Sequence, residues 1–116
     1  MTLVQLYVTV GGSLDEVTQR IPGKLVLKFV KMYAADGSFA ALTTALAAED
    51  WQTAFRAAHT LKGVAQNLDF GDLGRSAAAL TEALRGTKPL EDYSLYESVV
   101  QAQAALTNAI SALENG

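Results

Sequence analysis

The stretch FRAAHTLKGVAQNL, residues 55–68, holds the only histidine of the chain, His59. Lys62 follows three residues later, Gly63 four, and Gln66 seven; Phe55 precedes it by four. On a helix those spacings gather side chains on one side over successive turns. An imidazole can act as nucleophile, proton carrier or metal ligand, and its surroundings decide which.

The direction of His59 follows from helical periodicity. At about 100° per residue, Ala54, Ala57, Ala58, Leu61, Val64, Ala65 and Leu68 collect on one side, centred near Leu61. Gln52, Arg56, His59, Gly63 and Gln66 collect on the other, with His59 about 160° from Leu61. The apolar stripe is a core face, so the imidazole is expected in solvent. A glycine inside a helix costs roughly 1 kcal/mol relative to alanine, and Gly63 leaves space beside the ring. Lys62 supplies a compact cation, although taken alone it is an ordinary solvated helix lysine. Gln66 can donate a hydrogen bond, and reads equally as a plain surface glutamine. Phe55 falls about 40° from His59. It is either an exposed contact aromatic or rim packing against the neighbouring segment 38–48. Phe55 and Arg56 are the candidates for touching a partner. An open imidazole with a cation and an apolar neighbour suits a group that receives a charged ligand from another protein.

Other chemistries are poorly supported. The chain has no cysteine, and one histidine without converging ligands makes a poor zinc site, so no metal site is expected. A carboxylate-bridged di-iron bundle needs Glu-x-x-His pairs, and the residues three away from His59 are Arg56 and Lys62. No spacing marks a Ser-His-Asp triad. Neither GxxxxGK[ST] nor GxGxxG occurs, and Gly11-Gly12 is a bare pair, so no nucleotide site is expected. A phosphoryl group on His59 would have to come from another protein.

The elements that must hold this stretch are helical. Ser13 and Glu16 have the spacing of a capping box opening a helix over 14–20. Pro22-Gly23 interrupts. A helix over about 23–34 carries Leu25, Leu27, Phe29, Val30, Met32 and Tyr33; LVLKFV alone also fits a strand, but no partner strand is evident. Asp36-Gly37 marks a turn before a helix over about 38–48 with Phe39, Leu42 and Leu46 on one side. Asp50 is a good N-cap for 51–68, and Asp69-Phe70-Gly71-Asp72 is a tight connection. A helix over about 72–85 places Leu73, Ala77, Leu80 and Leu84 at core spacing. Gly86 stands where a C′ glycine belongs, with Pro89 after it. The last helix, about 91–114, carries Tyr96, Val99, Ala102 or Gln103, Leu106, Ile110 and Leu113. Short connections favour antiparallel neighbours. The expectation is an all-α, antiparallel up-and-down bundle of four main helices with short accessory N-terminal helices. Residues 1–116 read as one domain, with 1–22 accessory and 23–114 the bundle.

The totals agree. The 116 residues are half hydrophobic and 18% charged, with net charge −3, which suits one folded domain rather than a disordered chain. No basic stripe marks non-specific nucleic-acid binding. The N-terminus MTLVQLYVTVGG lacks a basic leader and cleavage site, so it reads as mature protein. Apolar runs fall well short of the roughly 20 residues that cross a bilayer. A soluble cytoplasmic monomer without membrane or nucleic-acid partners is expected.

HTLKG on an exposed helix face, preceded by FRAA and followed by VAQNL, closely resembles the His-x-x-Lys-Gly signature of histidine-containing phosphotransfer (HPt) domains, here of the free-standing bacterial kind. The similarity extends through LAAEDWQTAFRAA and LGRSAAALTEALRG, roughly residues 23 to 86. The resemblance implies a four-helix bundle and a phosphorelay carrier that is not itself an enzyme. His59 would match the phospho-accepting histidine, and Lys62 the lysine balancing phosphoryl charge. Gly63 would match the small residue keeping the approach open. Gln66 falls where a polar side chain bonds imidazole or phosphoryl, and Phe55 where apolar partner contact is common. The implied partners are receiver domains of response regulators or hybrid histidine kinases, with Mg²⁺ on the receiver and no cofactor here. Many members have glycine where this chain has Asp69, which implies either a left-handed Asp69 or a cap for the next helix. The rival reading is a non-catalytic helical adaptor in which Phe55 docks a partner and His59 is incidental. A bundle binding a cofactor through an axial His59 is opposed by the outward direction of the ring.

Overall fold

Helix ends in this chain follow local hydrogen-bonding chemistry. The computed structural model describes residues 1–115. Among them are seven helices and no strand: α1 Leu3–Thr9, α2 Leu14–Thr18, α3 Gly23–Tyr33, α4 Ser38–Ala47, α5 Trp51–Asn67, α6 Gly71–Leu84 and α7 Ser94–Asn115. The Asp50 carboxylate accepts from Thr53 N–H at 3.2 Å and opens α5. Asp92 accepts from both the backbone N–H and the hydroxyl of Ser94, so α7 starts at Ser94 rather than near 91. Thr2 and Gln5 form a complete capping box on α1, which sequence analysis did not single out. At Ser13 only half of the expected box forms. Its side chain accepts from Glu16 N–H, while its own N–H donates to Asp69 Oδ2 at 2.7 Å.

The helices α4 to α7 pack in an antiparallel up-and-down bundle, each against the next. Their inward positions are Leu42, Ala45 and Leu46; Ala54, Ala58, Leu61 and Ala65; Leu73, Ala77, Leu80 and Leu84; and Val99, Leu106 and Ile110, all buried. A fully buried leucine contributes roughly 1.5–3 kcal/mol through lost apolar surface. Phe39 and Tyr96 stack between α4 and α7, and the Tyr96 hydroxyl bonds Thr43 at 2.8 Å. This assembly is the all-α, four-helix arrangement expected from the sequence.

The helix α3 is amphipathic, and not all of the apolar residues that suggest it turn inward. Val26, Val30 and Tyr33 are buried, whereas Leu27 and Met32 are exposed. Tyr33 sets its ring edge-on to Phe70, 5.4 Å between centroids, and donates its hydroxyl to Gln103 of α7. Burial, aided by the Asp36 charge, pushes the Tyr33 phenol far above its ordinary range.

The N-terminal 22 residues are fastened to the C-terminal end of α5. A helix leaves its last four carbonyls without internal partners. Here Phe70 N–H returns to Ala65 O at 2.8 Å and Asp69 N–H to Gln66 O at 3.2 Å. Arg20 donates to the carbonyls of Gln66 and Asn67, and the buried Tyr7 hydroxyl donates to Leu68 O at 2.8 Å. This terminus is a Schellman closure whose left-handed position is Asp69, φ 57°. Of the two roles expected for Asp69, the left-handed one holds; its carboxylate reaches Ser13 instead of capping α6. Asp72 N–H donates to Val10 O. Gly12 lies so close to the Asp69 carbonyl that a β-carbon there would collide with it.

Candidate functional site

The alanines of α5 let its neighbours approach closely. Ala54, Ala57, Ala58, Leu61 and Ala65 are buried, with α4 on one flank and α6 on the other. One face remains for solvent: Gln52, Arg56, His59, Thr60, Gly63, Gln66 and Asn67 are all exposed. His59 therefore lies where its periodicity places it. Val64 is the exception in the expected core stripe, being only half-buried.

Among the described residues the imidazole has one stacked aromatic neighbour. Phe55, one turn earlier, lies nearly parallel to it, 9° between planes and 6.1 Å between centroids. The Arg85 guanidinium sits over the Phe55 ring, 5.6 Å from its centroid. Arg85 is held in turn by Glu82, through Nε at 2.9 Å and Nη2 at 2.7 Å. That two-pronged bond keeps the Glu82 carboxyl below its usual range and raises the Arg85 guanidinium; the Lys62 charge adds a smaller pull on Glu82. A cation over an aromatic face is attracted by the ring quadrupole. Phe55 is half-buried, with Arg85 at the end of α6 over its ring.

The other expected site residues are placed as follows. Lys62 is half-buried, and its charge is felt at Glu82 on α6. At Gly63 a β-carbon would meet no atom within 4 Å, so the space beside His59 is open. The Gln66 stem passes Gly74 of α6, with Cγ 3.4 Å from where a β-carbon would stand. Arg56 is not beside Phe55. It lines a groove between α4 and α5 with Gly37, Ser38, Ala41 and Thr60. The structure therefore turns Phe55, Lys62 and Gln66 towards α6, leaves His59 and Gly63 on the open face, and turns Arg56 towards α4.

Sequence reasoning missed Arg85, Glu82, Arg20 and Tyr7. Glu82 and Arg85 stand at i,i+3 just before Gly86, which is visible in the sequence. Their relation to Phe55 depends on the register of α6 against α5, which is not.

Among the described residues no group of three or more His, Cys, Asp or Glu side chains converges on a metal position. No described helix is long and apolar enough to cross a membrane. The arrangement offers an exposed imidazole with the cations Lys62 and Arg85 on its α6 flank.

Comparison with curated proteins and with solved structures finds no match. The model of the Hpt domain matches residues 34–116, a span that takes in α4 to α7 and the whole His59 stretch. The chain belongs to the Hpt-domain family, whose members are histidine phosphotransfer carriers of phosphorelays rather than enzymes with a catalytic site of their own.

Proposed function

We propose that His59 is the residue that carries the phosphoryl group. The donor is the aspartyl phosphate of a receiver domain, in a response regulator or a hybrid histidine kinase, and a second receiver aspartate is the acceptor. One ring nitrogen attacks phosphorus in line. The N–P bond forms as the P–O bond to the aspartate breaks, and the carboxylate leaves with the electron pair. The neutral imidazole is the nucleophilic form, its unprotonated ring nitrogen carrying the free electron pair. The receiver supplies its acidic residues and Mg²⁺; this chain contributes no cofactor.

The observation that carries this reading is an exposed imidazole on a stiff bundle helix, with Gly63 leaving its side open. Positioning matters because small displacements of reacting groups cost rate. Lys62 balances phosphoryl charge, and Gln66 hydrogen-bonds the imidazole or the phosphoryl group. Phe55 contacts the receiver, and Arg56 extends that contact along the α4 side. The chain acts as a cytoplasmic monomer, with residues 1–22 as an accessory segment on the 23–114 bundle.

The test is transfer from phosphorylated receivers to the wild-type chain and to His59→Ala. The wild type is expected to take up label and the variant none, with helical circular dichroism unchanged. Equal labelling of the variant removes His59 from the mechanism. Uptake by neither, with the chain still binding receivers, supports the adaptor reading.

A further inference from the structure

We infer that the outer face of α3 is an electrostatic docking strip that selects receivers with an acidic rim. This rests on the phosphorelay reading above and names the kind of partner that reading admits.

The charges of the chain are unevenly placed. Four of its nine lysines and arginines, Arg20, Lys24, Lys28 and Lys31, fall within twelve residues, and no acid occurs between Glu16 and Asp36. The rest of the chain then carries five basic and twelve acidic residues. On α3 the lysines are four and three residues apart, so they share one face, opposite the buried Val26, Val30 and Tyr33; this short basic stripe corrects the sequence expectation, drawn from the net charge, that the chain carries none. All three are exposed, and Leu27 and Met32 are exposed on its flanks. Within α3 there is no acid to neutralise them.

The flank of this strip borders a groove that leads, past Asp36, to the C-terminal half of the His59 helix. This groove of about 420 Å³ separates α3 from α5, lined by Phe29 and Met32 on one side and Val64 and Asn67 on the other. Arg20, just before α3, is hydrogen-bonded to the carbonyls of Gln66 and Asn67. Asn67 is eight residues beyond His59, about 12 Å along the helix. An ordinary interface covers about 800 Å² per partner, roughly 30 Å across, so the footprint of a receiver centred on His59 extends to the groove, and the lysines of α3 stand at its rim side. Rim charges of this kind set association rate and salt dependence more than the strength of the formed complex. The family match begins at residue 34, just past α3, so the strip belongs to the part of the chain that the match does not describe.

The experiment uses a receiver that phosphorylates the wild-type chain, compared with K24Q/K28Q/K31Q at rising salt. The expected result is a drop of about tenfold in kcat/KM at low ionic strength, within the range that steering supplies. The drop shrinks towards none at about 0.5 M salt, where screening is strong. The saturating transfer rate stays unchanged. Receivers with neutral rims are expected to show a smaller drop. An unchanged kcat/KM across salt overturns the inference while leaving His59 in place. It is also overturned if the triple variant transfers normally but loses sedimentation with phosphatidylglycerol vesicles, which would make α3 a membrane contact. A wild-type chain that accepts no phosphoryl group from any receiver fails the phosphorelay reading, and this inference with it.

Discussion

Phe55 and His59 lie ring beside ring on consecutive turns of α5, 9° from parallel, and Arg85 of α6 sits over the first of them. The proposed phospho-acceptor is thereby linked to a neighbouring helix through an aromatic ring and an ion pair. The imidazole itself is exposed.

Phe55→Ala is expected to slow phosphotransfer by about tenfold, or about 1.4 kcal/mol in the barrier, because the ring support of His59 and an apolar partner contact go together. Arg85→Ala keeps Phe55 and is expected to give a smaller loss. Single-turnover transfer rates for the two variants check the order. An Arg85→Ala defect larger than that of Phe55→Ala would point to direct contact between Arg85 and the phosphoryl group.

Gly63 separates stability from access. Open space surrounds its β-carbon position, so Gly63→Ala is expected to stabilise the helix by up to about 1 kcal/mol. Gly63→Leu fills the space beside His59 and is expected to retain the fold while transferring far more slowly. Thermal melts and transfer rates on the same preparations check both halves.

Asp69 holds a left-handed backbone that glycine would take at lower cost. Replacement by glycine relieves strain of roughly 1 kcal/mol but removes the carboxylate bond to Ser13 N–H. Hydrogen bonds to charged groups contribute about 1.5–3 kcal/mol. Asp69→Gly is therefore expected to destabilise by about 1 kcal/mol, measured by urea unfolding. A stabilised variant would show that the Ser13 contact contributes little.

Tyr7 gives the N-terminal clamp a pH signature. Burial first, then the Asp69 charge, pushes its phenol up from 10.0 to about 12, against a smaller opposing effect of Arg20. Between those values the folded chain keeps a proton that the unfolded chain has lost, so stability falls as pH rises. Below about pH 10 the contribution is complete. The buried Tyr33 shifts in the same direction. Alkaline unfolding is expected to steepen above pH 10 and to be shallower in Tyr7→Phe, which also starts less stable because Leu68 O loses its donor. Equal pH slopes for the two proteins would contradict this.

The sequence was most readable where one periodicity governs. On α5 the alanine and leucine spacing separates buried from exposed positions, and only Val64 departs from it. The α3 segment was harder because LVLKFVKMY has apolar residues on nearly every side. Its inward positions Val26, Val30 and Tyr33 are selected by what they meet, including Phe70 and Gln103, and Leu27 and Met32 are left outside. The half-formed box at Ser13 has the same origin: Asp69, 56 residues away, takes the N–H that a local rule assigns to Glu16. The Glu82–Arg85–Phe55 chain was invisible because it spans two helices whose register no local pattern encodes.

The central claim is tested most directly by locating the phosphoryl group on the wild-type chain after reaction with a phosphorylated receiver. The account requires one group, on the peptide containing His59, lost in acid and retained in base as a phosphoramidate is. An acid-stable phosphate on the adjacent hydroxyl of Thr60, or label on any peptide lacking His59, would contradict it.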